Sequence, residues 1–154
     1  MRIAPSTMAI TQAVTLSPVD LPVSFEGGPS IRAGLTLLGY TLDRTAIKPG
    51  ETVYLEAAWR VDSVPREMLS LMAHVLAPDG SGAAGGDGLG VPIENWQPGD
   101  VFVQRHALTL PKDAPPGVYW VQTGVNWLIG GKRWLARDAR ATGDRALLVG
   151  LEVK

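Results

Sequence analysis

The chain has 154 residues, 45% of them hydrophobic and 19% charged, with 18 Gly, 12 Pro, no Cys and a formal net charge of −1. That length fits one domain able to bury a core without staples, and the lack of cysteine excludes disulfide frameworks, thiolate zinc sites and cysteine nucleophiles. The near-neutral charge gives no drive toward nucleic acid, which is not an expected partner, and the Gly and Pro content reads as many turns between short elements, an all-β balance.

Residues 1–30 carry Pro5, Pro18, Pro22 and Pro29 with little periodicity. They read as an N-terminal arm with one edge strand around residues 13–16. The start of the chain lacks the continuous apolar run of a signal peptide. Nothing later reaches the roughly 18 apolar residues of a membrane helix, so the chain is expected to be soluble, with no transmembrane segment of its own. A single β-domain is expected over residues 31–154. Its first strand is the apolar run 31–42, where Gly34 and Gly39 suggest a bend or bulge.

Lys48-Pro49-Gly50-Glu51 is a turn signal, with Pro presetting φ and Gly accepting positive φ. The strand after it places Val53, Leu55, Ala57, Trp59 and Val61 on one face, the pattern of a half-buried sheet. Residues 68–76 are nearly all apolar and end at Ala77-Pro78-Asp79-Gly80, so a central strand and a hairpin turn are expected. His74 in its middle reads as a hydrogen-bonded structural residue, with no metal-type ligand at i±2 or i±4. The Gly-rich stretch 81–90 lacks the Lys-Ser/Thr of a phosphate loop and the carboxylates of a calcium loop. It reads as a short strand at 82–84 followed by a flexible connection.

Two Pro-Gly phrases, Trp96-Gln97-Pro98-Gly99-Asp100 and Pro115-Pro116-Gly117, each launch a period-two run. In residues 101–110, Phe102, Gln104, His106 and Leu108 share a face that turns polar midway, which points to a sheet edge, with His106 either a hydrogen-bonded structural residue or accessible at the rim. In the next strand Tyr119, Val121, Val125 and Trp127 share one face, leaving Trp120, Gln122, Gly124 and Asn126 on the other. Trp120 is the aromatic expected to look outward. After the Gly130-Gly131 turn, five bases (Lys132, Arg133, Arg137, Arg140 and Arg145) stand against Asp138 and Asp144. They form a solvated loop or a contact surface for anionic headgroups or an acidic partner. Leu147, Val149, Leu151 and Val153 alternate in a closing strand. The whole reads as a two-sheet antiparallel β-sandwich, immunoglobulin-like or jelly-roll, of about eight or nine strands.

Five phrases stand in the order of a recurrent bacterial domain: Leu38-Gly39-Tyr40; Pro49-Gly50-Glu51 with Trp59; His74 to Gly80; Trp96 to Asp100; and Asp113 to Tyr119. Over residues 31–154 the chain resembles the extracytoplasmic β-sandwich found as an accessory module of dolichyl-phosphate-mannose-type membrane glycosyltransferases. The resemblance implies a sandwich with no catalytic role, outside the cytoplasm or associated with a membrane. The chain departs from that family at Ala77, where an Asp is common, and at Asn126-Trp127, where a Tyr-Asp pair is common.

These observations give a leading expectation and two competitors. The leading one is a non-catalytic, cofactor-free module that recognises glycan or docks onto a membrane-protein partner. Sugars stack on exposed aromatic faces while amides complete their hydrogen bonds, and Trp96, His106, Trp120 and Gln122 are the candidate ligand-binding set. The first competitor is a structural assembly domain without a small ligand. The second is an enzyme, which the sequence does not support: His74 and His106 lie on separate expected strands, and Glu94 and Asp100 merely flank a turn.

Overall fold

The computed structural model describes residues 16–28, 34–137 and 143–154. Its strands are β1 (Ser17–Glu26), β2 (Leu35–Leu42), β3 (Ala46–Ile47), β4 (Thr52–Val61), β5 (Leu69–Leu76), β6 (Gly82–Gly85), β7 (Val101–Thr109), β8 (Gly117–Trp127), β9 (Leu135–Arg137) and β10 (Ala146–Val153), with one 3-10 turn, Ile93–Asn95, before β7. They form two five-stranded sheets, in the orders β7-β4-β2-β1-β9 and β3-β10-β8-β5-β6, packed as a β-sandwich. The expected fold class holds, with two differences. Ten strands are described rather than eight or nine, and the β3–β10 pair is parallel. The short strands β3 and β9 hold too few residues for a period to show.

Alternation decides which way each strand faces. Val53, Leu55, Ala57, Trp59 and Val61 of β4 are all fully buried, because a pleated strand sends successive side chains to opposite sides and one side meets the other sheet. Gly50 and Gly99, with φ of 85° and 91°, supply the left-handed residue of the two Pro-Gly turns that precede β4 and β7. The bulge expected near Gly39 is present: the β2–β4 register shifts between Leu37 and Gly39. Strand β7 is an edge strand, as its mixed face suggested.

The N-terminal segment differs more. The edge strand expected at 13–16 falls almost wholly outside the described residues. Residues 17–26, expected within the arm, form β1 between β2 and β9. Val23 and Phe25 of β1 are in the core, and the register with β2 shifts between Pro18 and Val23, where Pro18 and Pro22 have no N–H to donate.

The buried side chains form two clusters. One gathers Phe25, Trp59, Trp96, Phe102 and Trp134, with Phe25 edge-on to Trp59 at 5.3 Å; the other gathers Leu55, Val75, Tyr119, Val121 and Leu151. Tyr119 also anchors the Pro-Pro-Gly turn, its hydroxyl donating to the Pro115 carbonyl at 2.7 Å. Removing that hydroxyl while keeping the ring, in Tyr119→Phe, is expected to cost about 1 kcal/mol in chemical denaturation.

Candidate functional site

Because Tyr119 and Val121 point into the core, Trp120 and Gln122 stand on the outer face of the second sheet. Register places their neighbours. Trp120 lies between Leu76 of β5 and Gly150 of β10, and Gln122 between His74 and Leu147. A register shift between Leu147 and Val149 is what brings Leu147 opposite Gln122. The extra residue, Leu148, turns its carbonyl to the Tyr40 hydroxyl at 3.3 Å.

Residues 143–145, just ahead of β10, lie across this face. A Cβ on Gly124 would lie 3.0 Å from the Asp144 carbonyl oxygen and 3.2 Å from Cε of Met72, so the missing side chain is what admits the crossing. The result is an open depression of about 570 Å³. Leu76, Gln122 and Leu147 lie on the sheet side, and Leu135 of β9 with Asp144 and Arg145 ahead of β10 line the other. Asp144 pairs with Arg145 at 3.2 Å and Arg133 at 3.6 Å, so one carboxylate serves two guanidinium groups.

Two side chains set the chemistry of this face. Trp120 is 47% exposed, and the far edge of its indole lies over Gly150, whose ideal Cβ would sit 3.9 Å from Cη2 and Cζ3. An aromatic laid across a glycine on the neighbouring strand is held by the sheet below and offers surface above. Gln122 is 1% exposed, yet its Oε1 has no hydrogen-bond partner. A buried acceptor left unpaired costs about 1–3 kcal/mol, and here it borders an open depression.

The other two candidate ligand residues are elsewhere, which corrects the sequence-based set. Trp96 is 4% exposed, stacks on Phe102 at 5.1 Å and donates from Nε1 to the Val91 carbonyl at 3.1 Å. The 3-10 turn folds its ring into the core. His106 is 2% exposed, the structural state of the two its strand position allowed and not an accessible one: the face of β7 that it shares with Gln104 is covered by the glycine-rich chain, and His106 Nδ1 bonds the Gly86 carbonyl. Neither meets Trp120 or Gln122.

Among the basic candidates, Arg137 pairs with Glu26 at 2.7 Å, and Arg133 and Arg145 share Asp144. Lys132 is exposed next to the Gly130-Gly131 turn, and Arg140 lies outside the described residues. Glu26 is thus the one acidic partner found among the described residues beyond the two aspartates of the segment, and a basic excess remains. Among the described residues no group of three or more His, Asp or Glu is placed to hold a metal, and no helix is long and apolar enough to cross a membrane. Leu76, Leu147 and Asp144 were not singled out by the sequence, since their roles depend on register and on where residues 143–145 cross.

No family model matches the chain, and no curated protein matches it in sequence. Among solved structures it is similar to the C-terminal domain of wzt, with a TM-score of 0.54 and 14% identity over 90% of this chain and 80% of that one. The likeness is one of fold. Two further structures have TM-scores of 0.45. One is the Pseudomonas fluorescens alkylpurine DNA glycosylase AlkC bound to DNA containing an abasic site analog, at 14% identity over 78% of this chain and 30% of that one. The other is Bacteroides uniformis beta-glucuronidase, at 13% identity over 79% of this chain and 14% of that one. Both likenesses are too weak to carry an argument. The finer resemblance to a glycosyltransferase accessory module receives no support from the sequence comparisons; a β-rich domain of the wzt type is what the fold matches.

Proposed function

We propose that the protein is a non-catalytic binding module that takes a sugar on the outer face of its second sheet. The observation that carries this reading is Gln122: a buried amide oxygen with no partner, bordering an open and largely apolar depression, one rung from a half-exposed Trp120. A sugar supplies both complements, a hydroxyl to donate to Gln122 Oε1 and a C–H face to lie on the indole. Reaction chemistry has no part in this reading.

Tryptophan fluorescence titration against a panel of bacterial polysaccharides and their oligosaccharides tests it. Trp120→Ala is expected to weaken binding about tenfold or more, equivalent to at least ~1.4 kcal/mol. Gln122→Leu is expected to separate binding from stability. It removes the unpaired oxygen, so the free protein gains about 1 kcal/mol in chemical denaturation while sugar affinity is lost. Unchanged affinity in Gln122→Leu would sink the proposal.

A second reading, docking onto a protein partner, draws on the exposed Val118, Leu135 and Leu147 that share this region with Trp120 and on the resemblance to membrane-enzyme accessory modules. In that case a partner captured by the wild-type chain is lost with Leu147→Glu, and no glycan gives a response.

A further inference from the structure

The glycine-rich chain after β6 is held from both sheets. On the side of the second sheet, the Gly86 N–H donates to the Ala73 carbonyl at 3.0 Å, and Gly88 and Leu71 exchange N–H···O bonds of 2.9 and 3.0 Å. Asp87 Oδ1 accepts from the Ala73 N–H at 3.2 Å and lies 3.2 Å from His74 Nε2. From the first sheet, His106 Nδ1 bonds the Gly86 carbonyl and Gln104 Oε1 accepts from the Gly90 N–H. A Cβ on Gly86 would lie 2.6 Å from the Ala107 carbonyl oxygen, so glycine is what lets the chain pass this close to β7. Strands β6 and β7 are edges of their respective sheets. Residues 86–90 therefore tie one side of the sandwich shut, where the sequence suggested a flexible connection. They also supply Gly88 and Leu89 to a groove of about 540 Å³ shared with Met68, Ser70, Pro92 and Ile93.

One of these ties depends on a proton. A carbonyl can only accept, so Nδ1 of His106 carries the hydrogen and Nε2 is the bare nitrogen. Nε2 is buried and has no partner. The register partner of His106 on β4 is the apolar Leu55. The titratable groups acting on it are Asp87 from the glycine-rich chain and His74 from β5. Its strand neighbour Arg105 points to the opposite face, over the Tyr54 ring; Glu56, the register partner of Arg105, is on that face as well. A second proton on His106 would place a charge where nothing accepts its hydrogen.

We propose that residues 86–90 form an acid-released strap: protonation of His106 detaches it from β7 and opens the groove that Gly88 and Leu89 line. Burial holds the His106 imidazole below its ordinary value of 6.5, against the opposing pull of the Gly86 carbonyl and the Asp87 charge. The strapped form then binds fewer protons than the released form, so the strap is firmest above pH 6.5. It loosens as pH falls from 6.5 toward the depressed value, by up to about tenfold in the opening equilibrium per pH unit.

Amide hydrogen exchange on the whole chain, followed by NMR from pH 8 to pH 5 and corrected for intrinsic exchange, tests the strap. In the wild type and in His74→Gln, the Gly90 amide, which donates to Gln104 Oε1 of β7, is expected to lose protection by up to about tenfold per unit below pH 6.5. In His106→Gln, whose side-chain amide donates at any pH, protection should stay flat. Wild-type-like pH dependence in His106→Gln, or flat protection in the wild type, overturns the proposal. If His106→Gln does not fold, the wild-type His106 ring shifts decide. Proton uptake in step with the loss of Gly90 protection supports the strap; release while the ring stays neutral refutes it.

Discussion

Trp134→Ala is expected to lower stability by about 3–5 kcal/mol, read from urea unfolding with an unchanged m-value. Trp134 precedes a strand of only three residues, yet it is fully buried. Its ring packs on Trp127 at 4.8 Å, and its backbone N–H donates to the Val125 carbonyl at 2.7 Å, which pins it beside the end of β8. Trp127 in turn donates from Nε1 to the Gly27 carbonyl at 3.0 Å, just past β1. The two rings thus fasten the end of β8, in one sheet, to the end of β1, in the other. Truncation leaves a large cavity that neighbours on two different sheets cannot collapse together to fill. Trp134 Nε1 is itself unpartnered, so Trp134→Phe, which discards that N–H and keeps a ring, should lose much less.

Gly27→Ala acts on the same joint from the other side. A Cβ there would lie 2.5 Å from Trp127 Cζ2 and 2.7 Å from Trp134 Cε2, distances no side chain tolerates without movement. Neither indole can swing away freely, since one is tethered to the Gly27 carbonyl and the other is enclosed in the core. The expected loss is about 1–3 kcal/mol. The two substitutions should also couple. Removing the Trp134 ring makes room for the new methyl, so the double variant should lose less than the sum of the singles. Additive losses would mean that the glycine and the ring do not share this space.

Much of the sandwich was legible because its signals are local. The alternation from Val53 to Val61, the Pro-Gly turns at residues 49–50 and 98–99, and the polar switch along β7 each report on the few residues that carry them, and the structure agrees at each. The site was legible only in part. The period-two rule separated Trp120 and Gln122 from the core face of β8, but it could not say that Gly150 lies beside the indole or that Leu147 faces Gln122. Those facts follow from a bulge on another strand. Trp96 and His106 were misplaced for a related reason. Their surroundings are built by residues 86–93, whose path a glycine-rich sequence leaves open, and two side chains that looked available proved to be held by carbonyls of that segment. The chain of β1 was obscured by its prolines, although Val23 and Phe25 keep the period of a buried strand.

An amide and indole chemical-shift map of the wild-type protein, titrated with a bacterial oligosaccharide that binds it, tests the sugar site without a mutation. Saturable shifts are expected at the Trp120 indole, the Gln122 side-chain amide and the backbone around Leu147 and Asp144, with the Trp120, Leu147 and Asp144 shifts absent in Gln122→Leu. Saturable shifts that leave Trp120 and Gln122 unmoved, or no response to any glycan in the panel, would contradict it.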